Sequence, residues 1–197
     1  MSKAYDRVEW NYFKGILEKL GFDSKWVGLV MKCLRSASYS FLVNEELRGR
    51  VMSLRGLRQG CLLSPYLFLL CAEGLSTMIK IAESDGRLQG LRVARDAPPI
   101  SHLLFTDDSL MFVHANVDDC NCLKSILEVY EQALGQSINF QKSALSFSPN
   151  AADGATSSIK DLFHVDVVSC HNSYLGLPSS ISINKRKIFG GLKERVC

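Results

Sequence analysis

Two adjacent aspartates, Asp107 and Asp108, are the residues of this sequence best suited to do chemistry. They interrupt an apolar segment at residues 100–113, which predicts two short strands with the aspartates in the turn between them. Two carboxylates so close together repel each other unless water or a cation screens them. Proteins commonly hold Mg²⁺ with one or two carboxylates together with substrate phosphates. The pair therefore indicates either a magnesium site or a solvated turn.

Helices and a hairpin are predicted before this pair. Residues 7–20 place apolar side chains at helical spacing, and Gly21 is a natural stop. A second helix is predicted to begin at a cap formed by Asp23 or Ser24 and to bury Trp26. Residues 39–54 then alternate around a polar break, which is typical of a hairpin.

A long buried helix is predicted next, from Tyr66 to about Ala82, because Ser64 can cap it and Pro65 suits its first turn. Its first turns are apolar nearly all round, as expected of a buried helix. A strand is predicted at 88–93. A further amphipathic helix is predicted at 117–134, capped by Asp118 or Asp119 and ended by Gly135.

The pattern weakens beyond residue 134. We expect strand pieces around Lys142, a short helix near 157–163 and a strand near 174–177. Hairpins and buried helices occur without a regular alternation of strands and helices, so the fold class expected from the pattern is α+β.

Composition narrows the class of protein. The 197 residues are 47% hydrophobic and 22% charged with a net charge of +3, which excludes a disordered or collagen-like chain. Seven scattered cysteines and a polar, charged start predict free thiols in a soluble intracellular protein. The longest continuous apolar run, residues 66–72, is far shorter than the roughly 20 residues that cross a bilayer, so no membrane partner is expected.

Five segments resemble, in the right order, the motifs of reverse transcriptases. The sequences of these segments are most similar to those of non-LTR (LINE-type) retrotransposon polymerases, particularly plant ones. One such motif would be weak, whereas the ordered set is highly specific. The segments are 1–8 (MSKAYDRV), 55–68 (RGLRQGCLLSPYLF), 105–108 (FTDD), 135–143 (GQSINFQKS) and 174–178 (YLGLP).

The resemblance implies an RNA-directed DNA polymerase that adds deoxynucleotides to a primer 3′-hydroxyl. The implied fold is the right-hand palm, an antiparallel sheet with packed helices, with part of the fingers. Residues 1–150 would form the palm with a fingers hairpin inserted at about 36–60, and residues 151–197 the end of the palm and the start of a connection towards the thumb. The implied partners are an RNA template, a DNA primer and deoxynucleoside triphosphates.

The resemblance also assigns roles to individual residues. It implies two Mg²⁺ ions, which stabilise the attacking and leaving oxygens of an in-line displacement. Asp107 and Asp108 match the acidic pair that holds them, with Asp107 the better candidate for metal contact. Tyr5 matches the residue that excludes a ribose 2′-hydroxyl. Gln59 and Gly60 match the loop that approaches the incoming nucleotide and the template.

Five basic residues are candidates for contacts with phosphates. Arg55 and Arg58 lie inside the glutamine-glycine motif and are expected to contact nucleotide or template phosphates. Arg48 and Arg50 either line the same path or belong to a solvated hairpin face. Lys142 either neutralises the leaving pyrophosphate or is a surface lysine.

One departure from the family concerns a third carboxylate. The resemblance implies an aspartate directly before the position of Met1, and Asp6 matches a different position, expected to be a helix-start or structural carboxylate. A two-metal site without that group should bind its ions poorly, so the polypeptide as given is expected to be inactive. The alternative is a catalytically dead retrotransposon remnant that at most binds RNA.

Overall fold

A computed structural model describes residues 4–105 and 108–168 of the chain. It forms two compact units, the first extending to Asn139 and the second beginning at Phe140. The helices are α1 (Trp10–Lys19), α2 (Ser24–Ser36), α3 (Ser64–Ser84), α4 (Val117–Leu134) and α5 (Asp153–Phe163). The strands are β1 (Ser38–Val43), β2 (Glu46–Met52), β3 (His102–Phe105), β4 (Asp108–Met111), β5 (Ala144–Leu145) and β6 (Asp166–Val167).

Helices α1 and α2 begin and end through identifiable local signals. Helix α1 ends at Gly21, which has a φ of +82°, and the next residue's N–H returns to the carbonyl of Leu17 at 3.1 Å. This pattern satisfies carbonyls that a helix end leaves free. At the start of α2, the Asp23 carboxylate accepts a hydrogen bond from the Lys25 N–H at 2.9 Å, so Asp23 is the cap. The expectation that Trp26 is buried is wrong, since it is 37% exposed and stacks on Phe22.

Strands β1 and β2 form the predicted antiparallel hairpin. Asn44 and Glu45 both have positive φ values, +50° and +67°, as the favoured two-residue hairpin turn requires. Gly49, with a φ of +66°, lies where the register shifts by one residue, and glycine at such a bulge supplies the left-handed backbone. Every described side chain of both strands is exposed.

Helix α3 is the central element of the first unit. Its buried residues include Phe68, Leu75 and Ile79, each no more than 1% exposed. Each such side chain contributes about 1.5–3 kcal/mol through removal of apolar surface from water. Helices α1 and α4 pack on it, and the hydroxyls of Tyr12 and Tyr130 both donate to the carbonyl of Cys71 at 3.5 Å. Three helices are therefore joined at one point.

The same helix is long and apolar enough, by length and composition, to cross a membrane. The most apolar window of α3 has a mean hydropathy of 1.3, and 44% of it is buried within the protein. The short run at 66–72 therefore understates how apolar the whole helix is. A core helix has the same composition, so one such helix is weak support for membrane insertion. The absence of a membrane partner stays a prediction.

Two predicted caps and one predicted strand are wrong. Helix α4 has the predicted bounds, but its cap is Asn116, whose Oδ1 accepts from the Asp119 N–H at 2.7 Å. Helix α3 begins at Ser64 itself, and the residue before it makes no side-chain cap. Residues 88–93 form only a single bridge, between Leu91 and Ile100. Leu88, 1% exposed, instead covers the end of α3 through its N–H bond to the Ala82 carbonyl.

The second unit contains the described part of the chain from residue 140. Phe140–Lys142 form a short 3₁₀ helix, not a strand. Strands β5 and β6 pair in parallel, with α5 between them in sequence, and α5 buries Ile159. Helix α5 begins at Asp153, earlier than the expected start near 157. The predicted strand at 174–177 lies outside the described residues.

Candidate functional site

The first of the motif segments lies directly against the glutamine-glycine loop. The N–H of Leu57 donates to the carbonyl of Tyr5 at 2.7 Å, and the N–H of Gly56 donates to the carbonyl of Val8 at 2.8 Å. The indole N–H of Trp10, the first residue of α1, donates to the carbonyl of Gly56 at 2.8 Å. Segments about fifty residues apart in the sequence are thus joined through their backbones.

Glycine is required at position 56 by this close approach. Its φ is +87°, a conformation that L side chains rarely adopt. A Cβ atom there would lie 2.6 Å from the backbone oxygen of Asp6, which is closer than real contacts allow. The residue at position 56 therefore determines how near the loop lies to the segment that carries Tyr5.

The Tyr5 ring is held from below by α3. It stacks on Phe68 with ring centroids 4.9 Å apart and an angle of 22° between the planes. Phe68 is 1% exposed, whereas Tyr5 is half-buried. Stacking on a buried ring restricts the orientation of the Tyr5 ring, which stays partly exposed.

The loop residues beside Tyr5 are exposed and polar. The amide nitrogen of Gln59 donates to Oδ1 of Asp6 at 3.1 Å. Gly60 has a φ of +77° and open space where a Cβ would be. Arg58 is exposed in the same turn. Since α1 begins only at Trp10, Asp6 does not start the helix, and it orients Gln59 instead.

Cys61 follows this loop immediately. A hydrogen bond from the backbone N–H of Leu63 lowers the pKa of the Cys61 thiol, with smaller contributions from Ser64 and Arg58. Burial raises the pKa of Cys71, deeper in α3, to about 12. Hydrogen bonds in the loop thus favour the thiolate of Cys61, whereas the interior of α3 disfavours a charged Cys71.

Asp108 is the first residue of β4 and pairs with Phe105 at the end of β3. Its side chain is exposed. Thr106 and Asp107 lie outside the described residues. The structure therefore has the predicted hairpin, with the carboxylate of Asp108 at the end where the two strands turn.

The carboxylate ligand at this turn is of the kind that hard cations prefer. An exposed carboxylate suits Mg²⁺, which usually keeps several waters and takes one or two protein carboxylates together with phosphates. Among the described residues there is no group of three or more histidine, cysteine, aspartate or glutamate side chains that could hold a metal. The exposed carboxylate of Asp108 is by its chemistry a suitable ligand for such a cation.

The remaining predicted basic residues lie in several places. Arg55 pairs with Glu9 at 3.3 Å on the surface of the first unit. Arg48 pairs with Glu46 within the hairpin, and Arg50 lies exposed on the same strand. Lys142 ends the 3₁₀ helix of the second unit and is exposed. The roles of these side chains stay predictions.

Sequence reasoning missed one residue at this site. The side-chain nitrogen of Gln136, 3% exposed, donates to the carbonyl of Ala4 at 2.5 Å. Among the buried side-chain oxygen and nitrogen atoms of the described residues, the Oε1 of Gln136 is the one without a hydrogen-bond partner. Gln136 follows Gly135, which ends α4 with a φ of +72°. The hydrogen bond from Gln136 to Ala4 therefore joins the fourth motif to the first. A glutamine directly after a helix-ending glycine was the available signal.

Comparison with known proteins identifies the class. The family model described as reverse transcriptase (RNA-dependent DNA polymerase) matches residues 1–178. The chain therefore belongs to the reverse transcriptase family, as predicted, and this family consists of RNA-directed DNA polymerases, which generally use divalent metal ions.

Two relatives give the context of the chain. It is 52% identical over 69 residues to an uncharacterized mitochondrial protein of Arabidopsis thaliana, covering 35% of this chain and 57% of that protein. It is 30% identical over 142 residues to the uncharacterized 149 kDa protein of transposon TX1 from Xenopus laevis, covering 72% of this chain and 10% of that protein. The chain thus spans little more than half of the first relative and a small part of the second. The relation to a transposon protein agrees with the predicted retrotransposon origin.

Proposed function

We propose that this chain supplies the nucleotide-addition centre of an RNA-directed DNA polymerase of LINE-type retrotransposon origin, built as a right-hand palm with a fingers hairpin. Its substrates are an RNA template, a DNA primer and deoxynucleoside triphosphates. Residues 1–150 are the palm, with the hairpin of β1 and β2 as the fingers part, and residues 151–197 lead towards a thumb. An intracellular location goes with this proposal.

One observation carries the proposal. Tyr5 and the loop at 56–60 resemble two separate motifs of the family; the N–H of Leu57 in this loop donates to the carbonyl of Tyr5, and Tyr5 stacks on Phe68 of α3. A chain that resembled the family only in isolated short motifs would not be expected to bring these segments into contact. The observation supports a single surface on which a nucleotide is received.

Each residue of that surface has a task. Tyr5, fixed by Phe68, presents its ring edge where a ribose 2′-hydroxyl would have to pass. Gly60 lets the backbone come close to the nucleotide because no side chain intervenes. Gln59, oriented by Asp6, and Arg58 supply hydrogen-bond donors to base or phosphate.

Asp107 and Asp108 hold Mg²⁺, two ions by analogy with the family. When bound, these ions neutralise charge on the transferring phosphoryl group and activate the primer hydroxyl. Lys142 is assigned to the leaving pyrophosphate. The contribution of the chain is chiefly positioning and charge, on which phosphoryl transfer mainly depends.

Primer extension on poly-rA/oligo-dT with Mg²⁺, by the chain extended upstream through the aspartate that the resemblance implies, tests the assignment of the carboxylates. We expect Asp108→Asn to reduce incorporation by at least about 10²-fold, since it removes charge stabilisation at the reacting centre. Asp118→Asn is the matched control, because Asp118 is an exposed aspartate in the first turn of α4. Equal incorporation by the Asp108 variant and the control would contradict the assignment.

The third carboxylate implied by the resemblance requires a second comparison. The assay is run on the 197-residue chain and on a version preceded by aspartate and natural upstream sequence. We expect strong incorporation only from the extended version. Incorporation by the 197-residue chain, whether or not the extended version is also active, would contradict the need for a third carboxylate. Incorporation by neither version would favour the catalytically dead alternative.

A further inference from the structure

A histidine joins the hairpin that carries Asp108 to helix α3. His102 is the first residue of β3, and its Nε2 lies 2.9 Å from the hydroxyl of Ser76 on α3. Its Nδ1 lies 2.9 Å from the hydroxyl of Ser101. The two serines are only 7% and 5% exposed. A serine hydroxyl can donate or accept, so both ring nitrogens are satisfied in either tautomer.

The hairpin has little other means of being held in place. None of the described side chains of β3 and β4 is fully buried, and Leu103 and Phe105 are 46% and 52% exposed. Apolar burial therefore contributes less here than in the helices. Hydrogen bonds between buried groups are costly to leave unmade, so the Ser76–His102–Ser101 chain fixes the base of the hairpin strongly for its size.

The position of the Ser76–His102–Ser101 hydrogen bonds at the base of the hairpin lets them affect where the carboxylate of Asp108 lies. Phe105 lies three positions after His102, which is a distance of about 10 Å along a strand. Phe105 pairs with Asp108. A tilt of the hairpin of a few degrees about its base therefore moves Asp108 by a large fraction of an ångström.

The charge state of the ring suits this task. Burial lowers the pKa of His102 below its ordinary value of 6.5, so the ring is neutral near pH 7. Among the described residues, the charged groups that act on its pKa are Glu83, Lys80 and Glu73 on α3, and the last two pair at 3.7 Å.

We propose that His102 is a positioning residue for nucleotide addition, which clamps the hairpin to α3 through Ser76 and so fixes Asp108 relative to α3, whose Phe68 stacks on Tyr5. This inference rests on the proposed function. The clamp itself is a structural property and can be measured without any activity.

Ser76→Ala is the most direct variant, because it removes one hydroxyl and leaves a residue that favours a helix. We expect the backbone amides of β3 and β4 to exchange with deuterium about fivefold to tenfold faster, as the loss of one hydrogen bond predicts. The amides of α3 and α4 should exchange as before. Ser84→Ala is the matched control, since that hydroxyl bonds only to the Ile81 carbonyl within the same helix.

Steady-state primer extension, on whichever version of the chain incorporates nucleotide, supplies the functional readout. We expect Ser76→Ala to lower kcat by up to about 10²-fold, the loss attached to a misplacement of about 1 Å. The KM for the nucleotide should stay near that of the parent, because Tyr5 and the loop are untouched. His102→Gln, which can still reach Ser76, should recover much of the rate that His102→Leu loses.

Each outcome decides the inference. Unchanged exchange in the hairpin overturns the clamp, whatever the activity. Faster exchange with an unchanged kcat overturns the positioning role. Faster exchange confined to the hairpin with a lower kcat supports both. If no version of the chain extends a primer while the exchange still responds, the proposed function fails, the positioning role fails with it, and only a structural clamp is left.

Discussion

At the scale of single residues, Tyr5 provides the clearest link from geometry to substrate choice. Its ring rests on buried Phe68, so a ribose cannot displace it without breaking that stack. We expect Tyr5→Ala to raise ribonucleotide incorporation about tenfold or more relative to deoxynucleotide incorporation, because the blocking edge is gone. Parallel extension assays with the two kinds of nucleotide measure this ratio.

Tyr5→Phe is the control for that change. It retains the ring and the stack and loses only the hydroxyl, so it should discriminate like the parent. If Tyr5→Ala left the ratio unchanged, another group would have to exclude the 2′-hydroxyl.

Gly56 leads to a prediction about stability. Gly56→Ala introduces a Cβ 2.6 Å from a backbone oxygen at a φ of +87°, so we expect a loss of about 2–3 kcal/mol in the free energy of unfolding. Urea denaturation followed by circular dichroism measures it. Gly28→Ala is the opposite case, because it lies in α2 with open space around it, and should gain about 0.5–1 kcal/mol. Equal effects at the two positions would contradict this account of the loop.

At the scale of elements, the sequence predicted helix bodies better than their first residues. The apolar periodicity of α4 alone predicted 117–134, because core packing of Leu123, Ile126 and Tyr130 requires that spacing. The cap was misassigned because Asp118 and Asp119 are equally good by type. Only the extended backbone of Asn116 makes it the cap, and Asp119 turns instead to the Gln89 N–H.

This cap supports a prediction. Asn116→Ala removes the acceptor for the Asp119 N–H, and we expect it to lower the free energy of unfolding by about 1 kcal/mol. Thermal unfolding followed at 222 nm is the measurement. Asn121→Ala, an exposed asparagine in the same helix, should change the stability by far less. A larger loss at position 121 would show that the helix is not capped as described.

The proposed His102 clamp at the base of the β3–β4 hairpin predicts that the stability of the protein depends on pH. Because the pKa of His102 is lowered in the folded state, the unfolded chain binds a proton first as the pH falls below 6.5. The stabilisation is therefore complete above that pH and declines below it. We expect the unfolding midpoint of the parent to fall more steeply below pH 6.5 than that of His102→Gln. Identical slopes in calorimetry would contradict the neutral clamp.

At the scale of the whole molecule, ordered motifs predicted the family, and no local pattern predicted how the motifs meet. The sequence motifs alone identified Tyr5 and Gln59 as candidate site residues, because both lie inside segments that resemble motifs of the family. The contacts that join them, such as Trp10 on Gly56 and Gln136 on Ala4, link residues 46 and 132 positions apart. Such pairs depend on packing of α1, α3 and α4, which periodicity does not specify. His102 went unrecognised for the same reason, since its partner lies on another element.

Replacement of Mg²⁺ by Fe²⁺, with ascorbate and peroxide, tests the central claim most directly, because hydroxyl radicals cut the backbone near the bound ion. The central claim is that the aspartate turn and the surface formed by Tyr5 and residues 56–60 make one site. In the chain extended upstream through the aspartate that the resemblance implies, we predict cuts at the turn around Asp108 and also in residues 4–8 and 56–60, all suppressed by excess Mg²⁺ and by Asp108→Asn. Cuts confined to the turn, or cuts that persist in that variant, would contradict the claim.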